Sequence, residues 1–217
     1  MRSIRDLEPN EIRVLGALLE KEQATPEYYP MTVNALIAAC NQKSNRDPVT
    51  SLTETEVIDA LESLRVDVLA WRSDGARVER WSQSISRRLE LDPEEKAILT
   101  LLMLRGPQTP GQLRSRSGRL HRLESLGDVE EALARLAVED RELTSELPRR
   151  PGQKETRWAP LLAGDTFDLD AAEPEHAPQE PRPAASKPGL TERVAALEEQ
   201  VSELVSAVEN LSAKLES

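Results

Sequence analysis

The chain has 217 residues and a net charge of −11, with 38% apolar but only 3% aromatic residues, so we expect small helical cores of Leu, Val, Ile and Ala. No run approaches the ~20 apolar residues of a membrane span, and the N-terminus lacks the apolar stretch of a signal peptide, which predicts a cytoplasmic protein without membrane contact. The single cysteine, Cys40, and two widely separated histidines predict neither a disulfide nor a zinc site, and no cofactor is expected.

The sequence contains an internal repeat. Leu7–Glu11 matches Leu91–Glu95 at an offset of 84, and Thr25-Pro26 matches Thr109-Pro110 at the same offset. Blocks further along align at offsets of 72 and 77, so the first copy carries an insertion of about twelve residues. The repeat therefore predicts two related domains, which we call the first and the second copy.

Each copy is predicted to contain three helices, because helix-capping residues precede its apolar runs. The pattern is clearest at Asp92-Pro93-x-Glu95, which has a capping residue, a proline at the first helical position and a glutamate at the third. The other predicted helix starts are Glu8-Pro9, Thr32, Thr53-x-x-Glu56, Thr109-Pro110 and Asp128-x-x-Glu131. Cys40 falls on the apolar face of the second helix and is expected to be a small core residue.

A β-hairpin is predicted after the third helix of each copy. In the first copy Asp74-Gly75 is typical of a two-residue turn, which would set Trp71 opposite Val78. The predicted strands are 68–72 and 77–81 in the first copy, and 143–147 and 154–159 in the second. Three helices followed by a hairpin predict a winged helix in each copy, and Trp71, Trp81 and Trp158 are expected to pack the hairpins onto the helices. The alternative is that these tryptophans face solvent and stack on bases.

The tail differs in composition from the two copies. Residues 161–217 have 4 basic and 12 acidic side chains, net −8, whereas residues 1–160 have 24 and 27, net −3. Five prolines among acidic and small residues predict a disordered linker over 165–189. We therefore predict a mainly α protein with small β wings, composed of two tandem winged-helix domains (1–85 and 86–164), a Pro-rich linker (165–189) and a C-terminal coiled-coil helix (190–217).

A heptad pattern follows the predicted linker. Apolar residues alternate at spacings of four and three, at Leu190, Val194, Leu197, Val201, Leu204, Val208, Leu211 and Leu215. Val at position a and Leu at position d favour a parallel two-stranded coil, although apolar residues at flanking positions leave three or four strands possible. The pattern predicts a homo-oligomer formed through residues 190–217. The alternative is an amphipathic helix that folds back on its own domain.

A basic segment lies in the second copy. Five arginines occur between Arg105 and Arg122 with no acidic residue among them, and serines in the same segment could also contact phosphate oxygens. Basic residues of the second wing and of the polar run 41–46 add to this set. The candidate DNA contacts are Arg114, Arg116, Arg119, Arg122, Arg149, Arg150, Lys154, Lys43 and Arg46. The alternatives are that the arginines pair with the acidic third helices, and that 41–46 is a helix cap and turn.

Several motifs follow one another in a fixed order along the chain. They are Thr25-Pro26-Glu27-Tyr28-Tyr29-Pro30, Asn34-Ala35-Leu36, the run 39–49 that begins Ala39-Cys40-Asn41-Gln42, and Leu104-Arg105-Gly106 with Gln108-Thr109-Pro110-Gly111 and Leu113-Arg114-Ser115-Arg116. Over residues 5–162 these motifs strongly resemble the bacterial YceH-like family. The resemblance implies a tandem winged-helix fold and a bacterial origin, and it supplies no reaction.

The sequence shows no Gly-rich phosphate loop, nucleophile elbow, Ser/His/Asp set or metal-ligand cluster, so a non-catalytic protein is expected. Our leading hypothesis is a regulator or architectural factor that binds double-stranded DNA and self-associates through its coil. The third helices count against the usual mode of DNA reading, because they carry mainly carboxylates where winged helices enter the major groove.

The alternative function is a protein-interaction scaffold that does not bind nucleic acid. The chromosome-segregation proteins ScpB and MukE resemble the layout in architecture only, and they use winged helices to bind other proteins and to dimerise. A partner surface would then include Tyr28-Tyr29-Pro30 and the run 41–49, since adjacent tyrosines suit an interface. The same tyrosines could equally close a small core.

Overall fold

The computed structural model of the chain describes residues 4–73, 78–138, 140–149, 152–153 and 155–162. These residues belong to one compact unit. The predicted linker, 165–189, and the predicted coiled-coil helix, 190–217, lie outside the described residues. Within the described ranges, no helix combines the length and the apolar character needed to cross a membrane.

The same order of elements, three helices and a pair of antiparallel strands, occurs twice. The first copy contains α1 (Pro9–Ala24), a 3₁₀ turn (Pro26–Tyr28), α2 (Val33–Cys40), α3 (Glu54–Val66), β1 (Ala70–Ser73) and β2 (Arg80–Gln83). A short helix, α4 (Ile85–Arg88), leads to the second copy, which contains α5 (Pro93–Arg105), α6 (Pro110–Ser117), α7 (Leu126–Leu136), β3 (Thr144–Leu147) and β4 (Arg157–Pro160). The predicted mainly helical protein with small β hairpins is confirmed.

The helix starts follow from the capping residues, with one correction. The side chains of Thr32, Thr53, Asp92 and Thr109 each accept a hydrogen bond from a backbone N–H in the first turn of α2, α3, α5 and α6 respectively. The start predicted at Asp128 was wrong, since α7 begins three residues earlier. Ser125 is the capping residue, and the Asp128 carboxylate accepts hydrogen bonds from its N–H and its hydroxyl, at 3.0 and 2.6 Å.

The register of the first hairpin differs from the prediction. Trp71 pairs with Ser82 and not with Val78, so the connection between β1 and β2 is longer than an Asp-Gly turn. The backbone of Trp81 exchanges two hydrogen bonds with Met31, at 2.7 and 3.0 Å, and its side chain is buried. Because Val78 and Ser82 are an even number of residues apart, the same face of β2 points to the core in the predicted and the observed register.

The second copy has the same bridge between its hairpin and the segment before its second helix. Gln108 exchanges backbone hydrogen bonds of 3.0 and 2.8 Å with Trp158, at the positions equivalent to Met31 and Trp81. Trp158 is partly buried against the core, so the expected packing role is confirmed for Trp81 and Trp158. It was wrong for Trp71, which is 62% exposed.

The two copies share one hydrophobic core, built around α1 and α5. Both helices are buried along most of their length, which is typical of central helices. They approach so closely that a Cβ atom on Gly16 would lie 2.9 Å from Leu104 Cδ2 and 3.3 Å from Met103 Cβ. The N-terminal segment is also tied to the end of the second copy, because Leu7 N–H donates to the Leu162 carbonyl at 2.7 Å.

One glutamate in each copy links the central helix to the third helix: Glu11 links α1 to α3, and the equivalent Glu95 links α5 to α7. Glu11 accepts hydrogen bonds of 2.6 and 2.9 Å from Arg5, which also contacts Ser63 of α3. Burial acts to raise the pKa of Glu11, but the hydrogen bonds from Arg5 and Ser63 outweigh it and hold the pKa below its usual value. The equivalent Glu95 is buried and pairs with Arg135 of α7 and with Arg141 just beyond it.

Candidate nucleic-acid interface

The loop after α2 folds onto both copies. The Asn41 side chain exchanges hydrogen bonds with the backbone of Leu52, at 2.7 and 2.8 Å, and so closes the base of the loop. Further along, the Asp47 N–H donates to the Leu104 carbonyl at the end of α5, at 3.0 Å. For Asn41, the structure therefore agrees with the cap-and-turn alternative.

Arg46 is buried and does not fit the phosphate contact expected of it. Its side chain is 0% exposed, and its guanidinium donates to both carboxylate oxygens of Glu20, at 2.6 and 3.2 Å. The Ala39 carbonyl accepts two further hydrogen bonds from it, at 3.1 and 2.8 Å. We assign Arg46 a structural role, because its buried side chain joins the loop to α1 through the pair with Glu20.

The five arginines of the basic segment do not form one uniform surface. Arg114, Arg119 and Arg122 are exposed, whereas Arg105 and Arg116 are half-buried. Arg105 donates to the Asn45 side chain at 3.2 Å, and Arg116 donates to the Gln108 side chain at 2.7 Å. The exposed side chains of the α6 region are therefore the ones that a nucleic acid could reach directly.

The alternative, pairing with the third helices, holds in part for Arg114. The pKa of Asp128 in α7 is lowered mainly by hydrogen bonds from Ser125, and the nearby charge of Arg114 lowers it further. Arg114 donates to the Glu124 backbone carbonyl at 2.9 Å, and Arg122 forms an exposed pair with the Glu124 carboxylate at 3.2 Å. An exposed pair of this kind contributes little stability and would yield to a phosphate at small cost. Arg119 has no carboxylate partner among the described residues.

A cleft of about 470 Å³ lies where the two copies meet, and we call it the junction cleft. Its lining comes from α1 and the loop after α2 in the first copy, and from α5, α6 and the turn after α6 in the second. The lining residues are Glu20, Lys21, Ala24, Thr25, Gln42, Ser44, Asn45, Leu101, Leu104, Ser115, Arg116, Gly118, Arg119 and Leu120. Gln42, Ser44 and Asn45 of the first predicted segment and Arg116 and Arg119 of the second line it, so both segments border the same cleft, and Lys43 is exposed on the same loop.

The remaining predicted contacts lie on or near the second hairpin. Arg149 is exposed, while Arg150 and Lys154 lie outside the described residues. The outward faces of the third helices are acidic, with exposed carboxylates at Glu54, Glu56 and Asp59 in α3 and at Glu130 and Glu131 in α7. Any approach of phosphates is therefore favoured at α6 and the junction cleft and disfavoured at α3 and α7.

Gln108 is the residue of the site that sequence reasoning missed. It is fully buried, its side-chain amide donates to the Leu101 carbonyl at 3.1 Å, and its side-chain oxygen accepts the hydrogen bond from Arg116. The offset of 77 could have identified its position as equivalent to Met31, but nothing in the sequence shows that its side chain orients Arg116. Among the described residues, no cluster of His, Cys, Asp and Glu could hold a metal ion.

The sequence matches a family of bacterial proteins. The family described as "Protein of unknown function, DUF480" matches residues 7–153. The chain is 50% identical over 195 residues to a UPF0502 protein of Geobacter sulfurreducens, covering 89% of this chain and 88% of that protein. It is 46% identical over 213 residues to a UPF0502 protein of Solibacter usitatus, covering 97% and 98%. It is 43% identical over 216 residues to one of Acidovorax sp., covering 97% and 95%.

The structural assignment of Arg46 is testable by substitution. Arg46→Met leaves Glu20 buried without its principal partner, so we expect the free energy of unfolding to fall by about 3 kcal/mol or more. The control Lys43→Met changes an exposed cation of the same loop and should stay within about 0.5 kcal/mol of the wild type. Urea unfolding measures both. Equal stability of the two variants would contradict the assignment.

Proposed function

This chain belongs to the DUF480 family, whose bacterial relatives are named UPF0502 proteins, and we propose that it is a non-catalytic tandem winged-helix protein that binds double-stranded DNA. It acts as a regulator or an architectural factor. We also propose that the YceH-like resemblance designates this same family. The proposal rests on the charges around the junction cleft and on the repeated order of elements.

The repeated arrangement supports the winged-helix assignment. In both copies a residue between the first and second helices, Met31 or Gln108, forms an isolated antiparallel bridge to the second strand of the hairpin. In each copy the third helix packs against the first. Glu11 links them through Arg5, which donates to Ser63 of α3, and Glu95 links them through Arg135 of α7. This arrangement presents the second helix, the following loop and the wing together as surface features of each copy.

The observation that carries the DNA proposal is the position of unpaired cations from both copies beside one cleft. Lys43 of the first copy and Arg119 of the second are exposed, and neither has a carboxylate partner among the described residues. Arg114 adds an exposed cation on α6. The net charge of −11 does not oppose this locally, because salt screens charges beyond about 8–10 Å. A phosphate backbone is the partner that such a surface suits.

The predicted mode of binding differs from that of most winged helices. The exposed carboxylates of α3 and α7 would repel phosphates if either helix entered the major groove. Contacts from α6 and its flanking loops go mainly to the backbone, and such contacts position a protein without reading sequence. We therefore expect weak sequence preference and strong salt dependence.

The scaffold alternative has its own supporting observation. Six large apolar side chains of the first copy are exposed beyond half: Tyr28 at 72%, Val49 at 53%, Val66 at 77%, Val68 at 60%, Trp71 at 62% and Val78 at 55%. Exposed aromatic and aliphatic side chains of this kind are typical of protein interfaces. A protein partner bound there would leave the α6 surface free, so the two functions predict different surfaces.

Self-association through residues 190–217 completes the proposal. The unbroken heptad pattern supports it. In a dimer, binding of one chain to DNA raises the effective concentration of the second chain's DNA contacts, which strengthens weak binding.

Truncation after Lys187 should lower the mass measured by light scattering to that of one chain. An unchanged oligomeric mass would contradict the assignment of the contact to this segment.

The DNA proposal predicts a specific salt dependence. Fluorescence anisotropy with random and genomic duplexes should show binding at low salt that weakens steeply as salt rises. Arg114→Ala/Arg119→Ala removes two phosphate contacts, so the slope of log K against log salt should decrease by about 2.

The matched control is Arg65→Ala/Arg87→Ala, which removes the same charge from exposed positions away from α6. It should bind as the wild type does at equal salt. Absence of duplex binding at low salt, or an equal loss of duplex affinity in the two double variants, would reject the DNA proposal and favour the scaffold.

A further inference from the structure

The first hairpin has one face that points away from the core. Successive side chains of a β-strand alternate between the two faces of a sheet, and Trp81 is buried, so Trp81 lies on the face toward the core. The opposite face, which we call the outer face, carries two cross-strand pairs: Trp71 with Ser82, and Ser73 with Arg80. Trp71 is 62% exposed, and Arg80 is exposed as well.

The fold does not require a large aromatic side chain at the position of Trp71. In the second hairpin Trp158 is equivalent to Trp81, and Ser145 occupies the position of Trp71, since each precedes the strand partner of that tryptophan by one residue. A ring left mostly in water also contributes little to folding, because it removes little apolar surface from solvent. Trp71 is therefore an aromatic ring placed where a serine suffices for the same scaffold.

Small polar groups surround this ring on the outer face. The hydroxyls of its two serines donate to backbone carbonyls across the hairpin, at 3.2 and 3.4 Å. The exposed valines nearest in the sequence, Val66, Val68 and Val78, lie outside the two strands. The strand face thus combines one aromatic ring with hydroxyls and a cation, which suits a flat ligand with polar edges better than an apolar protein surface.

Arg80 supplies the cation beside the ring. Trp71 and Arg80 are diagonal neighbours on adjacent strands, a separation that aromatic and long side chains can bridge. The Arg80 guanidinium donates to the Pro30 carbonyl at 2.8 Å, which holds it near the hairpin. One ligand could therefore contact the ring and the guanidinium together.

The charge of Arg80 is not cancelled by an ion pair with a carboxylate among the described residues. Glu79 is its neighbour in the sequence, but adjacent side chains of a strand point to opposite faces, and the Glu79 carboxylate lies 3.5 Å from Arg72. Residues 74–77, of which the structure describes nothing, contain one acidic and one basic side chain and add no net charge. The described part of the outer face is therefore positively charged.

An aromatic ring beside a cation is a combination that binds single-stranded nucleic acid. Aromatic side chains stack on the bases, and basic side chains contact the phosphates of the same strand. In a duplex the bases stack on one another, and extracting one costs free energy, so an unpaired base is the better ligand. Tryptophan has only two side-chain torsions, so little entropy is lost when a base stacks on it.

We propose that the outer face of the first hairpin binds single-stranded nucleic acid, with an unpaired base stacked on Trp71 and a backbone phosphate beside Arg80. The inference rests on the proposed nucleic-acid function for the class of partner, and it adds a surface that includes neither α6 nor the junction cleft. A substrate that suits both surfaces is a duplex with a single-stranded end or gap.

Fluorescence anisotropy at low salt with matched strands tests the stacking. Oligothymidylate and oligouridylate of about twelve nucleotides present bases on a DNA and an RNA backbone, and an abasic strand of the same length presents phosphates alone. We expect at least one of the two base-containing strands to bind about fivefold or more tightly than the abasic strand. The same strand should quench tryptophan fluorescence, because stacking on a base quenches the indole.

Substitutions of Trp71 assign the effect to the ring. Trp71→Ala should remove the preference for base-containing strands, whereas Trp71→Phe keeps a ring that stacks and should retain most of the affinity without the quenching. The control Val66→Ala shortens another exposed side chain and should change the affinity less than about twofold. Because Trp71 is exposed, Trp71→Ala should lower the melting temperature by no more than about 2 °C.

Substitution of Arg80 tests the phosphate contact separately. Arg80→Gln should weaken the binding of base-containing and abasic strands alike, because both carry phosphates. The matched control is Arg87→Gln, which removes the same charge from an exposed position on α4. It should bind every strand as the wild type does.

Two results would overturn the proposal. These are equal affinity of the wild type for base-containing and abasic strands, including no binding of any strand, or an unchanged preference for bases in Trp71→Ala. Either result would leave Trp71 to the protein surface of the scaffold alternative.

Blunt duplexes distinguish this failure from failure of the proposed DNA function. Arg114→Ala/Arg119→Ala should weaken duplex binding, and Trp71→Ala should not. Single-strand binding by a chain that binds no duplex would leave the hairpin assignment intact. Duplex binding without a preference for unpaired bases would overturn the hairpin assignment and leave the α6 contact.

Discussion

At Gly16, α1 and α5 lie so close together that any side chain on this residue would collide with Leu104 or Met103. A glycine in the middle of a helix costs roughly 1 kcal/mol relative to alanine, and here it allows two central helices to share one core. Because the copies meet along these helices, the loop after α2 reaches the end of α5, and the junction cleft forms between that loop and α6. The surface on which the duplex proposal rests therefore belongs to neither copy alone.

Buried ion pairs decide which basic residues remain available at this surface. Arg46 is held in the interior by Glu20, and Arg141 pairs with the buried Glu95, whereas Arg135 is 40% exposed and contacts the acidic first turn of α5. Removing one partner of a buried pair leaves an unpaired charge in the interior, so Arg46 and Arg141 are fixed in structural roles. Exposed cations occur on α6 and in the turn after it, at Arg114, Arg119 and Arg122, while exposed carboxylates occur on the outward faces of α3 and α7. This separation of charge is what makes phosphate contact at α6 a physical expectation in an acidic chain.

Features that depend on neighbours in the sequence, such as helix starts, could be predicted, whereas features that depend on contacts between distant residues could not. Capping residues such as Thr53 and Asp92 identify helix starts because the interaction spans only three residues. The hairpin register predicted from Asp74-Gly75 was wrong, since Trp71 pairs with Ser82, and the sequence does not show that Trp81 contacts Met31, fifty residues earlier. The candidate cations Lys43 and Arg119 could be found from charge alone. The burial of Arg46 and the role of Gln108 could not, because each depends on a partner that the sequence does not place beside it.

The claim that the two copies form one cooperative unit is tested most directly by native-state hydrogen exchange on the full chain. If α1 and α5 share a core, their slowest amides open together, with the same free energy and the same dependence on denaturant. Amides of one central helix that exchange through a separate opening of clearly lower free energy would contradict this account. In that case the copies would be independent domains, and the junction cleft would not be a permanent feature of the protein.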